Sequence, residues 1–167
     1  MGYTTDFEGF VTITPPLNAS EIAYLNDFAE TRRMHRAAGP YFVRGTGAFG
    51  QGNDGDVLDF NSPDPSQPGL WCQWRPLSDG SGLEWDGGEK FYNAPEWMRY
   101  LVALISTKPD DETYALMLAA DERFADFTFD HVVEGEIQAQ GEDTGDRWLL
   151  VVTDNVVAVQ KATFTYE

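Results

Sequence analysis

The chain has 167 residues, 42% of them hydrophobic, and carries 28 acidic against 11 basic side chains for a formal net charge of −17. That length suits a single domain burying roughly two thirds of the surface its unfolded chain exposes, and no apolar run approaches the ~20 residues of a membrane span. So negative a field disfavours direct contact with DNA or RNA phosphates, which takes Lys and Arg, and one cysteine, Cys72, excludes an internal disulfide or a thiolate metal cluster.

The opening MGYTTDFEGF has neither a basic region nor an apolar signal core, which predicts a cytoplasmic protein. In DFEGFVTITPP, Val11 and Ile13 alternate with Phe10, Thr12 and Thr14, giving a first strand over residues 7–14 that Pro15-Pro16 ends. Asn18 with Glu21 three residues on has capping-box spacing. Ile22, Leu25, Phe28 and Ala29 then form one apolar stripe, with Arg32-Arg33 outside it and Gly39-Pro40 as the stop. Tyr41–Val43 reads as a short strand before a glycine-rich loop, and FNSPDPSQPGLW as a surface crossing.

GLWCQW leads into a hairpin, because Asp79-Gly80 is a strong turn signal. With that turn Trp74 faces Trp85, Arg75 faces Glu84 and Pro76 faces Leu83. Parity places Leu70, Cys72, Trp74, Leu83 and Trp85 on the core face, and Trp71, Gln73, Arg75, Glu84 and Asp86 on the other. Asn93-Ala94-Pro95-Glu96 is a second capping-box spacing, opening a helix through Trp97, Leu101, Leu104 and Ile105 that Lys108-Pro109 ends. Tyr114, Leu116, Met117 and Leu118 suggest one short helix. The last third reads as a meander: Val133–Gln140, Trp148–Val152 and Val156–Ala162, with turns at GEDTGD and Asp154-Asn155. The expected fold is a single α+β domain over residues 1–167. Its mainly antiparallel sheet holds the N-terminal strand, central hairpin and C-terminal meander, with two main helices packed on it. The expected core is Ile22, Leu25, Phe28, Trp74, Trp85, Trp97, Leu101, Ile105, Ile137 and Leu150.

The segments MGYTTDFEG, DFAETRRMHR, QPGLWCQWRPLSDGSGLEWDGGEKFYNAPEWMRYL and EGEIQAQGEDTGDRWLLVVTDNVVAV cover much of the chain. Together they resemble a family of small uncharacterised proteins carried by bacteria and their phages. The connection between Thr107 and Asp130 is longer than that family's. The resemblance implies a common fold and a phage or prophage setting, and transfers no catalytic residue.

Gly45–Gly50 matches G-x-G-x-x-G, yet the following QGNDGD starts no helix and its acids would repel phosphate. Asp54, Asp56 and Asp59, like Glu142, Asp143 and Asp146, lack EF-hand spacing, and neither a metal nor another cofactor is expected. His35 and His131 read as structural or solvated, and Cys72 as a buried, inert thiol. Two surfaces remain as candidates. Trp71, Gln73, Arg75, Glu84 and Asp86, followed by Glu89 and Lys90, set an aromatic platform beside donors and acceptors, suited to a base or small polar ligand or to an acid/base pair. From Lys108 to Asp146 twelve acids face two bases; Asp110, Asp111, Glu112, Asp121, Glu122, Glu142, Asp143 and Asp146 are the candidate acidic surface. The expected function is a non-enzymatic acidic interaction protein of phage or prophage origin, monomeric or dimeric, that binds and modulates a host protein, basic or nucleic-acid-binding, as a DNA mimic or an anti-defence protein would. The alternatives are a binder of small ligands or nucleotide derivatives using the Trp71 face and the Gly45–Gly50 loop, and a small hydrolase using a carboxylate pair.

Overall fold

In the computed structural model, which describes residues 2–43 and 57–161, the N-terminal strand forms as β1 (Thr5–Glu8) and β2 (Phe10–Thr14). Both run antiparallel to β7 (Val132–Gly141). Glu8 faces Gln138 and Val11 faces Gly135, so the register is unchanged across Gly9. Gly9 has φ +100°, and a Cβ there would stand 3.2 Å from the Glu136 carbonyl oxygen. The break is therefore local, in a conformation that glycine adopts without steric cost. The Gly45–Gly50 loop, Asp54 and Asp56 lie outside the described residues.

Helix α1 (Ala19–Glu30) begins with the capping box expected: Asn18 Oδ1 accepts the Glu21 N–H, and Glu21 Oε1 accepts the Asn18 N–H, both at 2.9 Å. Leu25, Phe28 and Ala29 are buried, with Tyr24 beside them. The helix stops at Glu30, well short of Gly39-Pro40, because the chain turns into β3 (Met34–Arg36), which pairs with β4 (Val57–Pro63) in a separate two-stranded sheet. Part of the proline-rich crossing is thus strand. Arg33, expected outside the apolar stripe, is buried instead. Its guanidinium lies 4.3 Å over the Phe28 ring, and Nη2 donates to the carbonyls of Pro40 and Phe42 at 2.7 and 2.6 Å. Tyr24 Oη takes the Tyr41 carbonyl in between at 2.7 Å. With these carbonyls committed to side chains, Tyr41–Val43 forms no strand.

The hairpin β5 (Trp74–Pro76) and β6 (Gly82–Trp85) has the expected register, Trp74–Trp85, Arg75–Glu84 and Pro76–Leu83. Its turn is wider than two residues: Leu77 N–H donates to Gly82 O, and Asp79 Oδ1 accepts from both the amide and hydroxyl of Ser81. Helix α2 (Ala94–Ser106) buries Trp97, Met98, Leu101, Val102 and Ile105. The capping box expected at its start is absent. Asn93 sits at φ +61°, and its Nδ2 donates to the Pro68 carbonyl at 2.7 Å instead. Helix α3 (Asp111–Ala120) is capped by Asp110, which accepts the Thr113 N–H at 2.7 Å, and buries only Met117.

A 3-10 turn over Glu122–Asp126 brings the chain back onto α1. Phe124 and Phe127 pack on the Tyr24 ring, Arg123 pairs with Asp27 and Asp121 at 2.9 and 2.8 Å, and Ser20 Oγ donates to Asp126 at 2.6 Å. This acidic stretch is thereby a docked part of the fold. Strands β8 (Arg147–Thr153) and β9 (Val156–Lys161) complete the meander through a tight turn, with Asp154 and Asn155 both at positive φ. That pattern is the primed turn whose twist matches a hairpin.

The seven-stranded sheet is antiparallel in the order β5-β6-β2-β7-β8-β9, with β1 beside β7. One face carries Val11, Ile13, Trp74, Leu83, Val133, Ile137 and Leu150 into the core shared with the helices. The fold is α+β, mainly antiparallel. Eight of the ten expected core residues are buried, and Ile22 and Trp85 are half-buried at its margin. Among the described residues no helix is long and apolar enough to cross a membrane.

Candidate functional site

The two tryptophans of GLWCQW do part company. Trp74 is 1% exposed, donates Nε1–H to the Ala94 carbonyl at 2.9 Å, and packs edge-on against Phe7 and Phe91. Trp71 is half-buried, in the loop before β5. Strict alternation fails just there, because the strand begins only at Trp74. Cys72, Gln73 and Trp74 are buried in succession. Gln73, expected on the outer face, bridges the hairpin from below: its Oε1 accepts from Trp85 Nε1 at 3.0 Å, and its Nε2 donates to the Glu89 carbonyl at 2.9 Å. The expected constellation is thus divided. Arg75 and Glu84 form an exposed pair at 3.1 Å, a contact of small energetic weight in water. Asp86 accepts the Gly88 N–H at 2.8 Å and lines a cleft of ≈370 Å³ with Asn26, Glu30 and Arg75. Burial raises its carboxyl pKa, against the pull of the Gly88 N–H and the Arg75 charge. The side chains of Glu89 and Lys90 are exposed, and Lys90 stands at φ +56°.

The acidic candidates also fall into separate groups. Asp110 and Asp121 are helix caps, and Asp121 holds Arg123. Glu142 accepts the Thr4 N–H at 2.6 Å and Asp146 the Tyr3 hydroxyl at 2.7 Å, so the β7–β8 turn is stitched to the chain's first residues. Asp111, Glu112, Glu122 and Asp143 are exposed. Among the described residues no three His, Cys, Asp or Glu side chains are placed to hold a metal ion.

A larger acidic surface lies elsewhere, on the sheet face turned away from the core. Strand pairing sets its residues in rows: Asp6–Gln140–Arg147, Glu8–Gln138–Leu149–Gln160, Arg75–Glu84–Phe10, Glu136–Val151–Ala158 and Thr12–Glu134. Asp6, Glu8, Thr12, Glu134, Glu136 and Gln138 are exposed, as is the Phe10 ring at 49%. Between β1 and β8 the face dips into a cleft of ≈490 Å³ lined by Asp6, Glu8, Gln138, Gln140, Arg147 and Leu149. The two Glu residues of β7 were legible as the outward half of its alternation. Their union with Asp6, Glu8 and Glu84 required the strand order.

Sequence reasoning also missed a buried ion pair. His131, expected to be structural or solvated, and Glu21 are both essentially inaccessible, with His131 Nε2 2.8 Å from Glu21 Oε2. His131 Nδ1 is 2.6 Å from the Pro15 carbonyl, which can only accept, so Nδ1 carries a proton. Nε2 faces the Glu21 carboxylate and Thr128 Oγ1, whose own proton goes to Asp130 at 2.5 Å. With Nε2 protonated as well, both ring nitrogens donate and the charged imidazole pairs with the Glu21 carboxylate. Burial works to lower the His131 pKa, but the hydrogen bonds to Glu21 and Pro15 and the charges of Glu21 and Asp130 outweigh it and raise it.

Cys72 is fully buried, its Sγ 3.7 Å from the Trp74 carbonyl, and burial pushes its pKa up to about 12. The folded protein at pH 8 is therefore expected to resist iodoacetamide while the urea-unfolded chain is alkylated, with intact mass as the readout; rapid native labelling would contradict the burial. No family model, curated protein or solved structure matches the chain.

Proposed function

We propose that this is a non-enzymatic interaction protein that binds and modulates a basic, nucleic-acid-binding host protein through the uncovered face of its sheet. The observation that carries the reading is the exposed ladder of Asp6, Glu8, Glu134 and Glu136 around Phe10. Among the described residues the helices pack on the opposite face. Exposed carboxylates at fixed spacing on a rigid sheet steer a cationic surface toward themselves, and a central aromatic supplies an anchor of the kind that dominates interface energetics. The same field repels phosphates, which favours a protein that ordinarily holds nucleic acid over the nucleic acid itself. A phage or prophage setting accords with the sequence resemblance. An affinity pull-down from bacterial lysate tests this with wild type, a Glu134→Lys/Glu136→Lys variant and an Asp111→Lys/Glu112→Lys control on α3. The expected result is a partner that is released by salt, lost with the sheet reversal and retained with the α3 reversal. A partner indifferent to the sheet reversal would remove this face from the interface.

The Asp86 cleft favours a second reading, a small polar ligand held between Arg75 and the raised carboxyl of Asp86. Retention of a small molecule in native mass spectrometry, lost on Asp86→Asn, would support it.

A further inference from the structure

Three strands of the sheet pair on one side only, β5, β9 and β1, and β1 carries Asp6 and Glu8. β5 is only three residues long and lies beside α1, whereas β9 runs for six residues, Val-Val-Ala-Val-Gln-Lys, with α2 near it and Arg99 at its Val157 carbonyl. In a hairpin with a two-residue turn the residues flanking the turn exchange ladder bonds. The pairs Thr153–Val156, Val151–Ala158 and Leu149–Gln160 therefore bond inward, and Val157, Val159 and Lys161 turn their amides and carbonyls away from β8. Arg99 Nη2 reaches the Val157 carbonyl at 3.3 Å, which agrees with that orientation. Among the described residues nothing bonds the outward amide or carbonyl of Val159.

Natural sheets protect an open edge with proline, charge, a bulge or a cover. β9 has no proline, and its one charge is the terminal Lys161. On a chain of net charge −17, no acid occurs from Val156 to Tyr166. Val156 and Val159 are 66% and 47% exposed. On the outer face Val156 and Ala158 adjoin half-buried Leu149 and Val151, so the acidic rows give way to an apolar strip toward this edge.

We propose that β9 pairs antiparallel with β9 of a second copy of this chain, with the two-fold axis at Val159, to form one continuous sheet. The occupant follows from charge. A basic segment is drawn to the acidic rows and finds no carboxylate here, whereas two copies of so acidic a chain repel least where both present an acid-free strand. A two-fold antiparallel pairing is self-complementary, as a closed dimer requires. Sedimentation equilibrium across a concentration series is the test, with wild type, Val159→Pro and Ala158→Glu. Proline at position 159 removes only an outward N–H and spares the β8 ladder, and Glu at exposed position 158 sets like charges near the axis. A concentration-dependent dimer in wild type, lost in both variants with the circular dichroism spectrum unchanged, is the expected result. A wild type monomeric throughout, or a dimer surviving in Ala158→Glu, would overturn the proposal. If Val159→Pro fails to fold, Ala158→Glu decides alone.

Discussion

Replacing Glu21 with Ala lowers the free energy of unfolding by about 3–5 kcal/mol, because breaking a buried ion pair by removing one partner leaves the other charge uncompensated. The carboxylate also holds the amides of Asn18, at 2.9 Å, and Thr128, at 3.4 Å, so its loss reaches both the start of α1 and the segment entering β7. A urea titration measures the loss, and a change below about 1 kcal/mol, the level of an exposed pair, would contradict the burial. Glu21→Gln behaves differently. Its amide oxygen can still accept from Asn18, and its NH₂ can donate to a neutral His131 that keeps Nδ1–H on the Pro15 carbonyl, so most of the stability survives. What disappears is a pH dependence. The folded-state pKa of His131 is raised above its ordinary 6.5, so the stabilisation is complete below 6.5 and is lost as pH rises through the raised value. Wild type is expected to lose stability relative to Glu21→Gln over that interval; parallel profiles would place the proton elsewhere.

Trp74→Ala costs about 3–5 kcal/mol, the range for removing a large aromatic from a packed core. Its indole touches Phe7 and Phe91 at centroid distances of 5.1 and 5.0 Å and donates to the Ala94 carbonyl at the start of α2. One side chain thus joins the N-terminal strand, the hairpin and a helix. Trp74→Phe keeps part of the aromatic contact but leaves that carbonyl without its donor, and falls between the two. Trp71→Ala, outside this cluster, is expected to change stability by under about 1 kcal/mol. Thermal melts of the three variants give the ranking, and equal losses for Trp71→Ala and Trp74→Ala would refute the division of roles within GLWCQW.

Local signals were read well because their causes are local. The Asn18–Glu21 box spans one helical turn, the Trp74–Trp85 register follows from the position of the turn, and the alternation of Val133, Ile137 and Ala139 needs no partner to be recognised. Trouble arose where a distant group competed. Asn93 has an N-cap side chain and the right spacing, yet the Pro68 carbonyl claims it. Tyr41–Val43 has strand-forming residues, but Arg33 and Tyr24 occupy carbonyls there.

The candidate surface shows the same division. Arg75 and Glu84 follow as an outward pair from the hairpin alone, whereas alternation does not place Gln73, which precedes the strand. The capping role of Glu21 uses only Oε1, and no local pattern assigns Oε2, which meets His131. His131 lies 110 positions along the chain, too far for any spacing rule. No helical or strand period connects Asp6 and Glu8 with Glu134 and Glu136; only the pairing of β1 and β2 with β7 does.

The position of β2 between β6 and β7 bears on the order in which the protein can assemble. Residues 10–14 are made before both of their partners and must wait for residues 82–84 on one side and 132–135 on the other. Helix α1 can form meanwhile, but the centre of the sheet closes only once residues 132–135 have been made. Pairings so distant in sequence slow folding, and an unpaired apolar strand is exposed to association in the interval. A nascent chain that stops before Val132 would offer β6 to β2 but no β7 to either β1 or β2.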